Sequence, residues 1–184
     1  MKTLITKRLI LRDLALRDVQ DLFAYAKKPN IGPMAGWSPH KNIKETAKIL
    51  KLLIREQEVW GITTKTDDAL IGTIGLHVRN FENAVENRRE IGYVLDDKYW
   101  GQGLIVEACF KVLDYGFNAL GLDEIMCGHM VSNTQSKRVI EKCGFRYLKT
   151  EKREYMDKED IDVMVYHMTK RDYKELIDHD NTKT

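Results

Sequence analysis

Two short tracts hold the residue types that could do chemistry. In the first, Gly101 and Gly103 stand between a strand-like run, where Ile91, Tyr93 and Leu95 alternate with smaller or polar neighbours, and a helix-like run. In that second run Val106, Cys109, Phe110, Leu113 and Phe117 recur at helical spacing, with Glu107, Lys111 and Asp114 on the opposite side. Glycines at such a junction let a ligand approach bare backbone. The unpaired N–H groups of the helix's first turn and the positive end of its dipole, roughly half a charge, favour an anion such as a pyrophosphate. The same pair of glycines also suits a plain strand-to-helix turn. Val106 stands in place of a third glycine and no Gly-Lys-Ser/Thr follows, so neither common nucleotide fingerprint is present.

The second tract, SNTQSKRVIEKCGF at 132–145, reads as a short helix with Asn133 as its N-cap and Gly144 at a left-handed C-terminal cap. Ser136, Val139, Ile140 and Cys143 share the inward face, and Lys137, Arg138, Glu141 and Lys142 the outward one. An inward serine near a helix start is either a local hydrogen-bonder or a reactive hydroxyl. Glu90 opens the central strand beside Arg88 and Arg89, as a surface carboxylate would. His129 alternates on its strand, as a satisfied sheet residue more readily than as a proton shuttle.

These groups need elements to position them. The pattern predicts a strand at 4–14, a helix at 15–28 ended by Pro29, a mobile pocket-lining loop at 29–42, and a helix at 43–55. Strands at 58–64 and 70–78 form an antiparallel hairpin. After the central strand and its helix come a strand at 124–131, the short helix at 134–143, and strands at 145–154 and 161–168. Strands first and alternation later suggest a fold on the border of α/β and α+β, a mixed, mostly antiparallel sheet flanked by helices. One domain over 1–177 and a polar, frayed tail at 178–184 are expected.

Lys and Arg number 30 against 28 Asp and Glu, a formal net charge of +2, which argues against a dedicated nucleic-acid or membrane-surface binder. Cys109, Cys127 and Cys143 lie within apolar patterns and read as reduced core thiols, without metal. Charges at Lys7, Arg8 and Arg12 interrupt any signal-peptide core, and no apolar run approaches the ~20 residues of a membrane span, so a cytoplasmic protein is expected. Monomer and homodimer both stay open.

Together the tracts resemble the GNAT superfamily of acetyl-CoA-dependent N-acetyltransferases. The family's Arg/Gln-x-x-Gly-x-Gly/Ala turn aligns with Lys98-Tyr99-Trp100-Gly101-Gln102-Gly103, and its Glu-Ala pair with Glu107-Ala108. Lys98 departs from the pattern, keeping the charge without the guanidinium fork. Asn133, Ser136 and the Glu141 to Phe145 end, with the opening TKRLILRD, are similar to the ribosomal-protein N-terminal acetyltransferase (Rim-type) branch.

The resemblance implies acetyl-CoA as co-substrate, no metal, and direct attack of an amine on the thioester. The pyrophosphate would lie on the amides of Trp100, Gly101, Gln102, Gly103, Leu104 and Ile105. The pantetheine would run beside Tyr93, Val94 and Leu95, with an N–H near Val94 or Leu95 on the thioester oxygen, and Asn133 would bond the pantetheine, cap the helix, or both. Glu90 is the implied base. Many members carry an acid tyrosine where this chain has Ile140, so Ser136 takes that role by a hydrogen bond to the departing sulfur; Tyr155 and Tyr166 are further candidates. The acceptor is a protein or peptide N-terminal amine, with a polyamine or aminoglycoside as the alternative, or the chain is a non-catalytic acyl-CoA-binding module. Glu82, Glu86, Asp96 and Asp97 surround the central strand, either to attract a cation or as simply solvated carboxylates.

Overall fold

The computed structural model describes residues 1–79, 87–154 and 160–181. One eight-stranded sheet runs through it in the order β1-β2-β3-β4-β5-β6-β8-β7. The strands are β1 (Leu4–Ile5), β2 (Leu9–Asp13), β3 (Val59–Thr64), β4 (Gly72–His77), β5 (Arg88–Leu95), β6 (Glu124–Met130), β7 (Arg146–Glu154) and β8 (Asp160–Thr169). Every pairing is antiparallel except β5 with β6. The helices are α1 (Val19–Ala26), α2 (Ile43–Glu56), α3 (Leu104–Asp114), α4 (Thr134–Lys142) and α5 (Lys170–Asn181).

The expected first strand is two strands. Thr6 breaks it: its hydroxyl accepts from Leu9 N at 2.8 Å and its amide donates to Leu9 O at 3.0 Å, which folds the chain so that Leu4 pairs with Leu11. Serine and threonine turns of this kind need no glycine or proline. The expected tail is also partly structured, since α5 continues through residues 178–181. Tyr173 anchors that helix, buried and stacked on Phe117 at 5.1 Å between ring centroids.

Alternation along the strands separates two cores. Leu9, Leu11, Ile62, Ile74, Leu76, Ile91, Ile125 and Cys127 face α3, α4 and α5, whose Ala108, Cys109, Val112, Ile140 and Tyr173 pack against them. On the other face Val59 and Leu70 meet Leu22, Tyr25, Ala26 and Leu50 of α1 and α2. A smaller cluster of Met126, Val163 and Val165 lies apart from both. Among the described residues, no helix is long and apolar enough to cross a membrane.

The irregularity that matters sits in the middle of the sheet. β5 pairs with β6 only from Arg88↔Glu124 to Ile91↔Cys127, yet β5 runs on to Leu95 and β6 to Met130. On its other edge β5 stays paired with β4 as far as Gly72↔Leu95. The two parallel strands therefore part after Ile91 and leave a wedge through the sheet.

Candidate active site

The wedge opens into a cleft of about 1370 Å³ lined from both faces of the sheet, by Glu90, Tyr93, Leu95, Gly103, Ser136 and Arg153 among others. Its helix-bearing mouth is the turn before α3. Gly101 (φ +76°) and Gly103 (φ +72°) both adopt the left-handed conformation that favours glycine. A Cβ on Gly101 would meet nothing within 4 Å, and one on Gly103 only Arg8 Nη2 at 3.8 Å, so the turn presents open backbone. The first bond of α3 runs from Glu107 N to Gly103 O, and the amides of Gly101, Gln102, Gly103, Leu104 and Ile105 have no hydrogen-bond partner among the described residues. Such a row of free N–H groups at a helix start is an anion cradle.

Trp100 falls outside this cradle. Its amide donates to Asp97 O at 3.2 Å and its indole Nε1 to Leu95 O at 2.9 Å, so both of its donors are engaged. It packs as a wall instead.

Sequence-distant residues brace the turn from behind. Glu107 Oε1 accepts from the Thr6 hydroxyl at 2.6 Å and from Arg8 N at 2.7 Å; Oε2 takes Arg8 Nε at 2.6 Å, and Arg8 Nη1 reaches Gln102 O at 3.0 Å. The opening TKR and the Glu-Ala pair thus meet in one clamp. Burial pushes the Glu107 carboxyl up, but the Thr6 hydroxyl and the Arg8 amide and guanidinium outweigh it and hold the pKa below the usual value.

Backbone direction decides which β5 amides face the wedge. Asp96 N donates to Ile71 O on the β4 side at 2.9 Å, and in an antiparallel ladder alternate residues point the same way. The Val94 N–H therefore faces β4, while those of Tyr93 and Leu95 face the cleft. Of the two amides expected near a thioester oxygen, Leu95 has the correct direction and Val94 does not.

Tyr93 and Ser136 meet across the mouth, with Tyr93 OH 2.9 Å from Ser136 Oγ and 3.3 Å from Ser136 O. Burial raises the Tyr93 phenol well above its ordinary value. Asn133 caps α4, its Oδ1 accepting from Ser136 N at 3.0 Å, and its Nδ2 donates to Met34 O at 3.0 Å. That second bond ties down the 29–42 segment, which holds a 3-10 turn at Gly32–Ala35 and a buried His40 whose Nδ1 is 2.9 Å from Thr46 Oγ1. Burial lowers the His40 pKa. Ile140, in the place of the acid tyrosine, is buried in the core.

The opposite mouth carries the carboxylate. Glu90 is only 5% exposed. Arg153 Nη1 donates to its Oε1 at 2.7 Å. Arg79 Nε stands 2.7 Å from Oε2 as an ion pair, and Oε2 accepts no hydrogen bond among the described residues. Neither arginine was foreseen; Arg153 lies on another strand and Arg79 carried no pattern. His129 is buried and satisfied, Nδ1 2.8 Å from Met130 O and Nε2 3.5 Å from Tyr166 OH.

Asp96 and Asp97 are already paired within the chain. Lys28 Nζ pairs with both, and Asn30 Nδ2 donates to Asp97 at 2.9 Å. Glu82, Glu86 and Tyr155 lie outside the described residues. Within those residues no cluster of three His, Cys, Asp or Glu side chains is placed to hold a metal ion.

A parted parallel strand pair, a free-amide cradle on one face and a buried carboxylate on the other define an acyltransferase of the acyl-CoA type. The acetyltransferase (GNAT) domain family matches residues 8–146, and the chain belongs to it. It is 31% identical to the uncharacterized N-acetyltransferase p20 of Bacillus licheniformis, over 94% of this chain and 99% of that one. In fold it is similar to a GNAT-family acetyltransferase from Bacillus anthracis, with TM-score 0.83, 23% identity and coverage of 92% and 99% of the two chains. It is also similar to a spermidine N-acetyltransferase from Vibrio cholerae solved with CoA and spermine, with TM-score 0.75, 21% identity and coverage of 90% and 98%. Acetyl-CoA is the acyl donor of this family, and the open cradle and wedge suit it.

Proposed function

We propose that the chain acetylates the α-amino group of a protein or peptide N-terminus, as in the Rim-type branch. The observation that carries this reading is Glu90: a buried carboxylate lining the cleft on the face opposite the phosphate cradle, with one oxygen that is ion-paired to Arg79 but accepts no hydrogen bond among the described residues. A buried acceptor without a hydrogen bond calls for a donor even beside a cation, and an incoming amine supplies one. Arg79 and Arg153 flank that single carboxylate, which opposes a polycation and tolerates one amine.

When bound, acetyl-CoA supplies the activated acyl group. The amides of Gly101 to Ile105 hold its pyrophosphate, Leu95 N–H steadies the carbonyl oxygen, and Asn133 borders the pantetheine. Glu90 takes a proton from the amine, directly or through water, and Ser136 donates a hydrogen bond to the departing sulfur. An α-amine, with pKa near ~8, needs little help; a lysine-like amine near ~10.4 needs more.

Thiol release from acetyl-CoA with a panel of short peptides, aminoglycosides and spermidine tests the assignment. Peptides with a free N-terminus are expected to give the highest kcat/KM. Preference for spermidine or an aminoglycoside would transfer the site to small amines, and binding without release on any amine would make it an acyl-CoA-binding module.

A further inference from the structure

Two hydroxyls, each with one proton, meet at the helix-bearing mouth. Tyr93 OH lies 2.9 Å from Ser136 Oγ and 3.3 Å from Ser136 O, and both side chains line the cleft. The protons have two arrangements. In one, Tyr93 donates to the Ser136 carbonyl and Ser136 donates to the phenol, closing the pair on itself. In the other, Tyr93 donates to Oγ and the Ser136 proton is free to turn into the cleft.

We propose that Tyr93 is a positioning residue for acyl transfer: its phenol donates to Ser136 Oγ, which turns the Ser136 O–H toward the thioester sulfur. This rests on the reading that places the thioester beside Ser136. The 2.9 Å contact admits either hydroxyl as donor, the longer 3.3 Å contact to the carbonyl is the one that the productive arrangement gives up, and α4 fixes the serine through the Asn133 cap at 3.0 Å. Burial keeps the phenol protonated, so it acts as a fixed donor and gives up no proton itself. The reaction balances without it: the amine lone pair forms the N–C bond, the C–S pair goes to sulfur, and an amine proton ends on the thiol. The hydroxyl pair only stabilises the charge that develops on sulfur.

Titration of the thiol of bound CoA, followed by the ultraviolet absorbance of the thiolate, reads this without any acceptor. The wild-type chain is expected to favour the thiolate about tenfold over the Tyr93→Phe variant, a hydrogen bond to a charged group being at stake. Ser136→Ala should lose at least as much, and the double variant no more than Ser136→Ala alone. In turnover, Tyr93→Phe should lower kcat about tenfold while the KM for acetyl-CoA stays within about twofold. Because phenylalanine keeps the ring, an unchanged melting temperature confirms an intact core. A Tyr93→Phe thiol that titrates as wild type, or penalties that multiply in the double variant, would overturn the proposal; peptide turnover by the wild-type chain judges the acetyltransferase reading separately.

Discussion

Arg153 Nη1 donates to Glu90 Oε1 at 2.7 Å, joining β7 to β5 across the far face of the sheet. The pair holds one oxygen of the carboxylate in place, and Arg79 Nε stands 2.7 Å from the other. Glu90→Gln keeps the shape and removes the proton acceptor. Its kcat should fall about 10²-fold with a lysine-like amine and less with an α-amine, and pH–rate profiles with both acceptors would show the difference.

Arg153→Met removes one of the two cations that accompany this buried carboxylate. Since Arg153 is itself 25% exposed, the loss is discounted to about 1–3 kcal/mol, below that of a fully buried pair. Chemical denaturation should report it as a lower midpoint at an unchanged slope.

Gly103→Ala tests the cradle. At φ +72° an alanine costs about 1 kcal/mol in backbone strain, and Arg8 Nη2, 3.8 Å away, does not clash with it. The expected result is a modest loss of stability and a larger loss of CoA affinity, read by calorimetry, as the turn tilts its amides away from the phosphates.

Glu107 gives the clamp a pH dependence. Its folded pKa lies below the usual value of 4.5, so its contribution is complete above about pH 4.5 and is lost as the pH falls through the folded value. CoA affinity should weaken over that acid range in the wild-type chain. Glu107→Gln should already be weak at neutral pH and flat below it, which binding isotherms across the range would establish.

Asn133 has two separable duties. Asn133→Asp keeps the acceptor for Ser136 N and loses the donor to Met34 O, whereas Asn133→Ala loses both. The alanine variant should lose about 1 kcal/mol of stability as an N-cap, and the aspartate variant little. Both should raise the KM for acetyl-CoA if the tie to the 29–42 segment shapes the cleft.

The parts of the site that could be read from sequence are those held by local chemistry. Gly101 and Gly103 announce a positive-φ turn, and Asn133 and Gly144 mark both ends of α4, because caps and turns depend on near neighbours. The break at Thr6 escaped notice because a threonine turn lacks the glycine or proline that usually signals one. Helix α5 is polar on most of its surface and shows its packing only through Tyr173 and its partly buried Leu176 and Ile177. The Glu90–Arg153 and Thr6–Glu107 contacts join residues brought together by the sheet, and nothing in their own sequence neighbourhoods points from one to the other. The direction of the Val94 and Leu95 amides likewise depends on strand register.

On the proposed function the acyl group lies in the wedge between β5 and β6, with the hydroxyl pair on one face and Glu90 on the other. A crystal structure with acetyl-CoA measures this directly. The expected result is the thioester oxygen on Leu95 N–H, the sulfur beside Ser136 Oγ, and the acyl carbon open toward Glu90. An acyl end outside the wedge, or one turned away from Glu90, would contradict it.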